Sequence, residues 1–508
     1  MPTLNRRCVE ASLLTALALQ CKINAVSFFE RKHYFYADLP AGYQITQQKQ
    51  PIAVHGDFQY PIINPRTHKL TYKTAKITRI QLEHDSARTL KSESLSYQFN
   101  KDEAMFENSL LIDLNRAGMG LMEIVTDPVF EDAFEAYSFV RELALVLRLI
   151  GTCNGVIGEG SFRVDVNVSV HELEKSSDPP KVLPGTRVEL KNLASFNDIL
   201  KATEYEIKRQ KKLVKSKEKV VMETRTYDSN QKKTVSIRLK EDKYDYRFMP
   251  EPNLLPLVVY PAKTFTAESA NSLGCSNNPE LNFDSDYLDK LEAIKSTPSA
   301  YVDLDKVKAE FATKTTPQTR RNKLIEKFGM KDETAFVFVA NDLDKILVEV
   351  ISKRVNDSDY VKTCVSVLNR FYLNQINTNP SIDKFEFELK CKKIGSFVEL
   401  IMNKVIGTRV HLKVFGMLFQ IENEAKLADE LVKEHDLYLV SDPSLILESL
   451  EKLFEENPKA VGEYKTKANK RAKIFDFFVG RLHKNFNDRA DSKVIDSLVD
   501  ESLKKLIK

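Results

Sequence analysis

Hydrophobic and polar residues alternate along the stretch GEGSFRVDVNVSV, residues 158–170. From Phe162 to Val170 every second residue is apolar. The polar positions between them are Arg163, Asp165, Asn167 and Ser169. A period of two predicts a half-buried β-strand, because successive side chains of a strand point to opposite faces of the sheet. The polar face is therefore either a solvated surface or the floor of a binding site.

A second segment, GTRVELKNLASF at residues 185–196, repeats this pattern. Val188 and Leu190 would point to its apolar face. The opposite face carries Arg187, Glu189 and Lys191. Two such strands could pair through cross-strand ion pairs, or they could together form the floor of a cleft.

One long helix is predicted within the strand-rich half, at EDAFEAYSFVRELALVLRLIG, residues 131–151. Its apolar positions Phe139, Leu143, Val146 and Ile150 share one helical face. Asp132 and Glu135 have the spacing of a capping box, and Gly151 stands where a helix commonly ends. A shorter helix-like run begins at Val9.

The patterning changes near residue 260. Before it, short strand-like segments alternate with turn residues. Residues 261–315 are rich in Ser, Asn and Thr and indicate a connector or a divergent insertion. The amphipathic segments RRNKLIEKFG, DLDKILVEVISKRV, SLILESLEKLFEE and KVIDSLVDESLKKLI then predict short helices. We expect an α+β fold in which helices pack on a mixed or antiparallel sheet, followed by an all-α region.

Composition excludes several classes of protein. The chain has 508 residues, 42% of them hydrophobic and 29% charged, with a net charge of +4. No apolar run approaches the roughly 18 residues of a membrane span. The six cysteines include no CxxC pair, which argues against a structural zinc site and a disulfide framework and favours a reducing compartment. No targeting segment is visible at the amino terminus.

Polar clusters in the strand-rich half suggest a catalytic site. The segment at residues 29–47 contains Arg31, Lys32, His33, Tyr34, Tyr36 and Gln44. Lys and Arg can neutralise phosphate, and Tyr can stack on a base or donate a hydrogen bond, so this segment could line a nucleotide site. The alternative is an amphipathic surface hairpin.

Carboxylates supply candidate ligands for a metal. Glu83, His84 and Asp85 are consecutive, and Mg²⁺ needs few protein carboxylates when phosphates complete its coordination. These residues could instead form a turn or salt bridges. Glu123 lies between Met122 and Ile124, where burial would require a cation, a proton or a metal. It is the best single catalytic candidate, and a buried ion pair is the alternative.

Two further motifs, ETRTYD and YDYRFMPEP, extend the predicted polar cleft. They add Glu223, Arg225, Asp245, Arg247 and Glu251. The chain has no P-loop, no well-placed GxGxxG, no HExxH and no GxSxG, so an ATP site here would be of an uncommon type.

Taken in order, these stretches resemble the B subunit of glutamyl-tRNA(Gln) amidotransferase, the GatB/GatE family. The similarity extends through about residue 257 and returns at EYKTKANKRAKIFDFFVGRL. The resemblance implies a cradle-like catalytic domain at 1–260, a helical connector at 261–350 and a YqeY-like helical tail that binds tRNA at 351–508.

The resemblance also implies an activity, cofactors and partners. Proteins of this family use ATP and Mg²⁺ to phosphorylate the γ-carboxyl of glutamate on misacylated Glu-tRNA(Gln), and ammonia then displaces the phosphate. The ammonia comes from the A subunit, which is an amidase, and a small third subunit (F in fungi, C elsewhere) completes a heterotrimer. A mitochondrial matrix protein of a fungus is expected, with the bacterial cytoplasm as the alternative.

Roles for individual residues follow from the same resemblance. The expected catalytic residues are Lys32, Glu123, Arg163, Asp165 and Lys191. The expected nucleotide-binding residues are Tyr34, Arg116, Asn167, Arg187 and Arg247. The expected metal ligands are Glu83, Asp85 and Glu123, and the expected RNA-binding residues are Lys465, Lys467, Lys470, Arg471 and Lys473.

The chain departs from the family pattern at three places. The family's earlier GLExH segment is not present, His84 stands where the family usually has Glu or Gln, and of the glycines in the tail motif Gly480 remains. A second hypothesis is therefore a non-catalytic tRNA-binding scaffold that has lost the metal site.

Overall fold

A computed structural model describes residues 4–64, 67, 69–90, 111–174, 181–239, 246–260 and 301–507. The chain forms two compact units, Met1–Arg320 and Arg321–Lys508. The predicted connector at 261–350 falls partly outside the described residues, as does Asp245. Among the described residues, no helix combines the length and apolar content needed to cross a bilayer.

The strands lie in the first unit. They are β1 Lys22–Ile23, β2 Val26–Ser27, β3 Glu30–His33, β4 Tyr43–Thr46, β5 Ala53–Ile63, β6 Leu70–His84, β7 Arg88–Leu90, β8 Leu111–Asp113, β9 Gly120–Thr126, β10 Val166–Val168, β11 Glu172–Glu174, β12 Lys181–Leu183, β13 Val188–Lys191, β14 Glu223–Asp228, β15 Lys233–Leu239, β16 Met249–Pro250, β17 Leu257–Tyr260 and β18 Tyr301–Asp303.

The helices lie in both units. They are α1 Arg6–Ala18, α2 Ala133–Ile150, α3 Phe196–Lys215, α4 Leu304–Thr313, α5 Pro317–Phe328, α6 Asp332–Ala340, α7 Leu343–Val350, α8 Ser358–Val367, α9 Leu373–Thr378, α10 Phe387–Met402, α11 His411–Leu418, α12 Ala428–Glu434, α13 Pro443–Glu456, α14 Pro458–Thr466, α15 Arg471–Asn485 and α16 Ser492–Lys505.

Two four-stranded sheets form the framework of the first unit. Sheet A has the order β1-β5-β6-β9, with antiparallel pairing throughout. Sheet B has the order β10-β13-β14-β15 and includes one parallel pair, β13 with β14. Smaller sheets join β16-β3-β4 and β18-β17-β2. The predicted α+β class, with helices packed on mixed and antiparallel sheets and a helical second unit, is confirmed.

Helices α1, α2 and α3 cover the apolar faces of these sheets. Phe58 and Tyr60 of β5 pack edge-on against Phe139 of α2, with ring centroids 5.7 Å apart in both pairs. Ile199 of α3 and Leu190 of β13 belong to the same core and are fully buried. This burial fixes the opposite, polar faces of both sheets, because alternate strand residues must then point away from the core.

Helix α2 agrees with its sequence prediction. The Asp132 side chain accepts a hydrogen bond from the Glu135 backbone N–H, and Gly151 ends the helix in the left-handed conformation with φ of 80°. The four amphipathic segments predicted beyond residue 315 correspond to α5, α7, α13 and α16. Helix α3, however, was not predicted, so the strand-rich half contains a second long helix.

The strand predicted over 162–170 is shorter than expected. Within this described stretch, regular pairing is confined to β10, three residues long. The alternation of burial nevertheless extends through the whole segment, because Phe162 and Val168 are buried while Arg163, Asp165 and Asn167 are exposed. An extended backbone is therefore enough to present the polar face, without ladder hydrogen bonds at every position.

Candidate active site

The candidate site begins with two carboxylates on the polar face of sheet A. Gln81 of β6 lies opposite Glu123 of β9, and Glu83 is two residues further along β6 on the same face. The Gln81 Nε2 lies 2.6 Å from Glu123 Oε2 and 2.8 Å from Glu83 Oε1. The side-chain amide thus links the two carboxylates.

Glu123 does not share the apolar surroundings of its two sequence neighbours. Met122 and Ile124 pack against the core, so the pleat of β9 directs Glu123 to the opposite, open face, where it is exposed. The surrounding protein still removes part of the hydration of the Glu123 carboxylate. This desolvation, reinforced by the charge of Glu83, raises the pKa of Glu123. Lys32 and Arg79 act in the opposite direction.

The β3–β4 hairpin forms one wall of the site through Gln44 and Thr46. The Gln44 Nε2 donates to Glu83 Oε2 at 3.0 Å, and the Thr46 hydroxyl donates to Glu83 Oε1 at 2.7 Å. Tyr34 donates to Gln44 Oε1 at 3.0 Å, and burial, followed by the charge of Glu83, raises its pKa to about 12. Tyr34 therefore remains a neutral donor at neutral pH.

Lys32 brings a cation to this wall. Its Nζ lies 4.9 Å from the ring centroid of Tyr246 and 5.6 Å from that of Tyr34. Since Lys32 also opposes the raised pKa of Glu123, its charge acts on the carboxylate pair. The structure thus brings together Lys32, Tyr34, Glu83 and Glu123, all predicted from the sequence.

The polar face of sheet B contributes a lysine–aspartate pair. The Lys191 Nζ lies 2.7 Å from Asp165 Oδ2 and 3.5 Å from Glu189 Oε1. Burial alone would lower the pKa of Lys191. The charges and hydrogen bonds of Asp165 and Glu189 outweigh this effect, so the pKa of Lys191 is raised. The charge of Asp165 also contributes to the raised pKa of Glu123, so Asp165 lies within electrostatic range of the carboxylates of sheet A.

Asp85 does not join Glu83 and Glu123. It follows the last residue of β6, where the chain turns, and its Oδ2 lies 2.7 Å from Arg163 Nη2 and 3.3 Å from Arg116 Nε. In the described ranges, no group of three His, Cys, Asp or Glu side chains is placed to hold a metal ion. Of the three predicted metal ligands, the structure brings Glu83 and Glu123 together and engages Asp85 with arginines. Their role as metal ligands stays a prediction.

His84 is engaged by the backbone. Its Nδ1 accepts a hydrogen bond from the Ile45 N–H at 2.9 Å, and burial lowers its pKa. The neutral ring thus fixes β4 against β6, and the nitrogen that accepts this bond is not free to ligate a metal.

Other predicted residues lie at the edges of the site. Arg116 donates to the carbonyls of Ser86 and Ala87 at 3.0 and 2.9 Å, which commits much of its guanidinium to the turn after β6. Asn167, Arg187 and Arg247 have exposed side chains. The carbonyl of Arg247 is 2.8 Å from His33 Nδ1, which attaches the segment containing Tyr246 to the hairpin.

Glu251 fixes the same segment from its other end. Arg31 donates to Glu251 through two bonds of 2.7 and 3.1 Å. Burial raises the pKa of Glu251, but the bond from Arg31 outweighs it and the pKa is lowered. This pair holds β16 on β3 and so positions the aromatic rings beside Lys32.

Glu223 and Arg225 lie away from the cleft in a buried ionic network, contrary to the sequence prediction. Glu206 of α3 is fully buried and accepts bonds from Arg209 at 2.9 and 2.8 Å. Arg225 donates to Glu223 at 2.6 Å and lies 3.6 Å from Glu206. The network attaches α3 to sheet B, and its other acid and base come from the unpredicted helix.

Of the linking residues, Gln44 is one of those predicted to line a nucleotide site, whereas Thr46, Arg79 and Gln81 were not predicted. Arg79 donates to Gln81 Oε1 at 2.7 Å, which orients the amide toward the carboxylates. A signal was present, because Gln81 stands two residues before Glu83 and strand periodicity places both on one face. Thr46 and Gln81 are uncharged, and a search that concentrates on titratable groups does not find them.

The predicted RNA-binding residues lie in the second unit, around the α14–α15 junction. Lys467 and Lys470 both pair with Glu463, at 2.8 and 3.0 Å. Arg471 donates to the Tyr464 carbonyl at 3.2 Å. Lys465 and Lys473 are exposed.

Comparison with known proteins gives consistent matches over nearly the whole chain. Residues 1–264 match the GatB/GatE catalytic domain, and residues 347–503 match a second model described as GatB domain. The B subunit of the aspartyl/glutamyl-tRNA(Asn/Gln) amidotransferase of Rickettsia conorii is 34% identical over 99% of this chain and 88% of its own length. The B subunits of the mitochondrial glutamyl-tRNA(Gln) amidotransferases of Homo sapiens and Danio rerio are each 34% identical, over 99% of this chain and 80% and 81% of theirs.

Proposed function

The chain belongs to the GatB/GatE family, and on that basis we propose that it is the B subunit of a glutamyl-tRNA(Gln) amidotransferase. In this function it activates the γ-carboxyl of glutamate on Glu-tRNA(Gln), and ammonia from a partner amidase then forms the amide. The observation that carries the proposal is the Glu83–Gln81–Glu123 arrangement facing Lys32 and the Asp165–Lys191 pair.

The carboxylate pair fits a divalent cation. Desolvation, followed by repulsion from Glu83, raises the pKa of Glu123, and a bound Mg²⁺ would offset both effects. Mg²⁺ is commonly held by one or two protein carboxylates together with phosphates and water. Glu83 and Glu123 would hold the ion, and MgATP supplies the phosphoryl group.

The cations of the cleft would then provide positioning and charge neutralisation, which are the main requirements of phosphoryl transfer. Lys32 lies over Tyr34 and Tyr246, and its charge acts on Glu123. Arg163 is held by Asp85. Lys191 is restrained by Asp165, so its ammonium is oriented before substrate enters. The geometry supports ATP and Mg²⁺ as cofactors under this proposal.

The partners follow from the same proposal. The family membership supports an assembly with an A subunit, which is the amidase, and with a small third subunit; the substrate is Glu-tRNA(Gln). A mitochondrial location is supported by the human and zebrafish relatives, whose names state it, and the Rickettsia relatives support a bacterial cytoplasm as the alternative. A fungal origin remains a prediction.

The test is Mg²⁺-dependent ATP turnover by the assembled complex in the presence of Glu-tRNA(Gln). Glu123→Gln should reduce that turnover by about 100-fold, because a charge-stabilising ligand of the reacting phosphates is lost. The matched control is Glu388→Gln, since Glu388 pairs with Lys392 at 2.8 Å on an exposed face of α10.

Binding and turnover together separate the two hypotheses. A wild-type complex that binds tRNA without hydrolysing ATP would favour the non-catalytic scaffold. Full turnover by Glu123→Gln, with Glu388→Gln unchanged, would overturn the assignment of Glu123 while leaving the function itself in place.

A further inference from the structure

A cluster of aromatic side chains lies beside the candidate site. Its members are Tyr34, Phe35, Tyr36, Tyr246 and Phe248, and we call it the aromatic rim. The ring centroids of Tyr34 and Tyr36 are 5.6 Å apart, those of Tyr34 and Tyr246 are 6.3 Å apart, and those of Tyr246 and Phe248 are 6.2 Å apart. Four of the rings thus form a continuous series in the order Tyr36, Tyr34, Tyr246 and Phe248.

The end of the aromatic rim formed by Phe35 and Tyr36, which we call its outer end, is open to solvent. Phe35 is 85% exposed and Tyr36 is 52% exposed. Phe35 has no polar group that would benefit from this exposure, so its apolar surface is presented at a cost of hydration free energy. An exposed ring beside a catalytic cleft is a feature that a ligand would cover.

The backbone holds Phe35 in this position. A Cβ atom at Gly42 would lie 3.2 Å from Phe35 Cε1, so the ring rests over a residue that lacks a side chain. Gly42 has φ of +70°, which other residues rarely adopt. The loop is closed by hydrogen bonds from Leu39 N–H to the Tyr36 carbonyl and from Gly42 N–H to the Leu39 carbonyl, both 3.0 Å. The ring is therefore presented by a structured loop.

Two cations accompany the aromatic rim. Lys32 lies over Tyr34 and Tyr246, the two middle rings of the series. At the outer end, Arg238 Nη1 donates to the Tyr36 hydroxyl oxygen. Aromatic faces interleaved with cations match a single nucleic-acid strand, in which stacking bases alternate with phosphates.

We propose that Phe35 and Tyr36 form a stacking platform for an unpaired base at the single-stranded 3′ end of the RNA substrate. The adenine of ATP has the same ring chemistry, but small-molecule sites enclose most of their ligand's surface. The outer rings are open, as in single-strand binding surfaces, where every base offers a face and no enclosing slot is needed. Openness therefore favours RNA over the nucleotide cofactor.

This inference rests on the proposed function, because it supplies the means by which the RNA end is placed near the activating site. Tyr34 connects the two regions: its ring is part of the aromatic rim and its hydroxyl bonds to Gln44, which in turn bonds to Glu83. A base stacked on the outer rings would thus lie on the same hairpin that orients a carboxylate of the site.

The test uses the assembled complex and two uncharged tRNA(Gln) probes, one full-length and one lacking the unpaired nucleotides at the 3′ end. For the wild type, truncating the probe should weaken binding by about tenfold or more, the loss expected for one stacked base. Phe35→Leu should weaken binding of the full-length probe to a similar extent, and truncation should then cost little more. Phe35→Tyr keeps the ring and should bind like the wild type.

The matched control is Phe387→Leu, because Phe387 is an exposed ring, 48% accessible, at the start of α10. The proposal would be overturned if the wild type bound both probes with equal affinity and Phe35→Leu bound them as the wild type does. A rise in KM for ATP with no change in tRNA binding would overturn it as well and would assign the platform to adenine. Binding needs no turnover, so a wild-type complex that does not bind tRNA at all would count against the proposed function instead.

Discussion

At the scale of single residues, the unusual feature is a shared amide between two acids. Gln81 contacts both Glu83 and Glu123, and its own carbonyl oxygen accepts from Arg79 at 2.7 Å. This arrangement keeps two like charges close without a neutralising partner between them. Desolvation is the main cause of the raised pKa of Glu123, and repulsion from Glu83 adds to it, a combination that is common at functional sites.

Replacing Glu123 should therefore affect stability in an unusual direction. Because its folded pKa is raised, the folded state binds its proton more tightly than the unfolded state, and stability is lost as pH rises through the folded pKa. Without added metal, Glu123→Gln should have a melting temperature above that of the wild type at pH 8. The difference, roughly 1–4 °C, should shrink toward zero near pH 4.

Glu388→Gln is the control for this measurement. The hydrogen bond from Lys392 lowers the pKa of Glu388, so the sign is opposite and any effect at pH 8 should be a slight loss. A melting temperature of Glu123→Gln clearly below the wild type at pH 8 would mean that the carboxylate stabilises the folded chain, which contradicts a stored repulsion. Thermal unfolding followed by circular dichroism across this pH range decides between the two.

At the scale of elements, Asp85 connects the end of β6 to the extended segment that precedes β10. Its carboxylate is largely buried, and it bonds Arg163 while also approaching Arg116. The Asp85 carbonyl accepts from the Gly118 N–H at 2.9 Å, so the same residue closes the turn before β9. Asp85 therefore acts as a positioning residue for Arg163.

We expect Asp85→Asn and Arg163→Met to be non-additive. Each should raise the KM for ATP by roughly tenfold, and the double variant should be no worse than either, with a coupling of about 1 kcal/mol because Arg163 is partly exposed. The apparent Mg²⁺ requirement of Asp85→Asn should stay within about twofold of the wild type. Additive losses together with a much higher Mg²⁺ requirement would return Asp85 to the role of metal ligand.

The end of α2 gives a separate test of the fold. Gly151 has φ of 80° and its Cβ would meet nothing within 4 Å, so Gly151→Ala introduces backbone strain without a steric clash. The free energy of unfolding in urea should fall by about 1 kcal/mol. Gly158→Ala is the control, since that position is also open but has no positive φ, and it should be nearly neutral.

How far the elements could be predicted depended on how local their determinants were. Helix α2 has its apolar period, its Asp132 cap and its terminal glycine all in one stretch, and it was predicted with nearly correct ends. Helix α3 has the same kind of cap at Ser195, but its buried face includes Glu206 and Gln210. Because both side chains are polar, the sequence pattern does not mark these positions as buried. Glu206 is paired with Arg209 and Arg225, and Gln210 bonds to the backbone of Val168 and Val170, so the burial of both depends on contacts made by the fold.

The candidate site shows the same limit. Strand periodicity correctly placed Asp165 and Lys191 on the polar face of their segments. It could not separate Asp85 from Glu83, because that depends on where β6 ends. Nor could it show that Gln81 joins two acids from different strands, since the partner of β6 is chosen by the sheet topology.

At the scale of the whole molecule, RNA binding by the second unit is a prediction that experiments can address. The second unit offers a basic surface around the α14–α15 junction, supported by a core that includes Ile446, Leu450, Phe478 and Val499. Its cations differ in their surroundings, because Glu463 pairs with Lys467 and Lys470. Within the described residues, the side chains of Lys465 and Lys473 form no hydrogen bond or ion pair.

This difference predicts unequal effects of lysine substitution on RNA binding. Removing one phosphate contact should reduce the slope of log affinity against log salt by roughly 0.7–0.9. Lys465→Gln and Lys473→Gln should each show most of that change when tRNA affinity of the complex is measured from 50 to 200 mM salt. Lys467→Gln should show less than half of it, because Glu463 already offsets its charge.

Substitution of the acid itself should have the opposite effect. The bonds from Lys467 and Lys470 lower the pKa of Glu463 to about 2, so it remains charged at every working pH and competes with phosphate for both lysines. Glu463→Gln should release them, raise tRNA affinity at 50 mM salt by about three- to tenfold and steepen the salt slope by about one phosphate. Glu448→Gln is the control, since Glu448 pairs with Lys452 on α13 in the same unit but away from this junction in sequence. An equal gain in affinity in both variants would reflect net charge alone. A gain confined to Glu463→Gln would locate the RNA-binding surface at the α14–α15 junction, because counterions are released only where lysines or arginines contact phosphates.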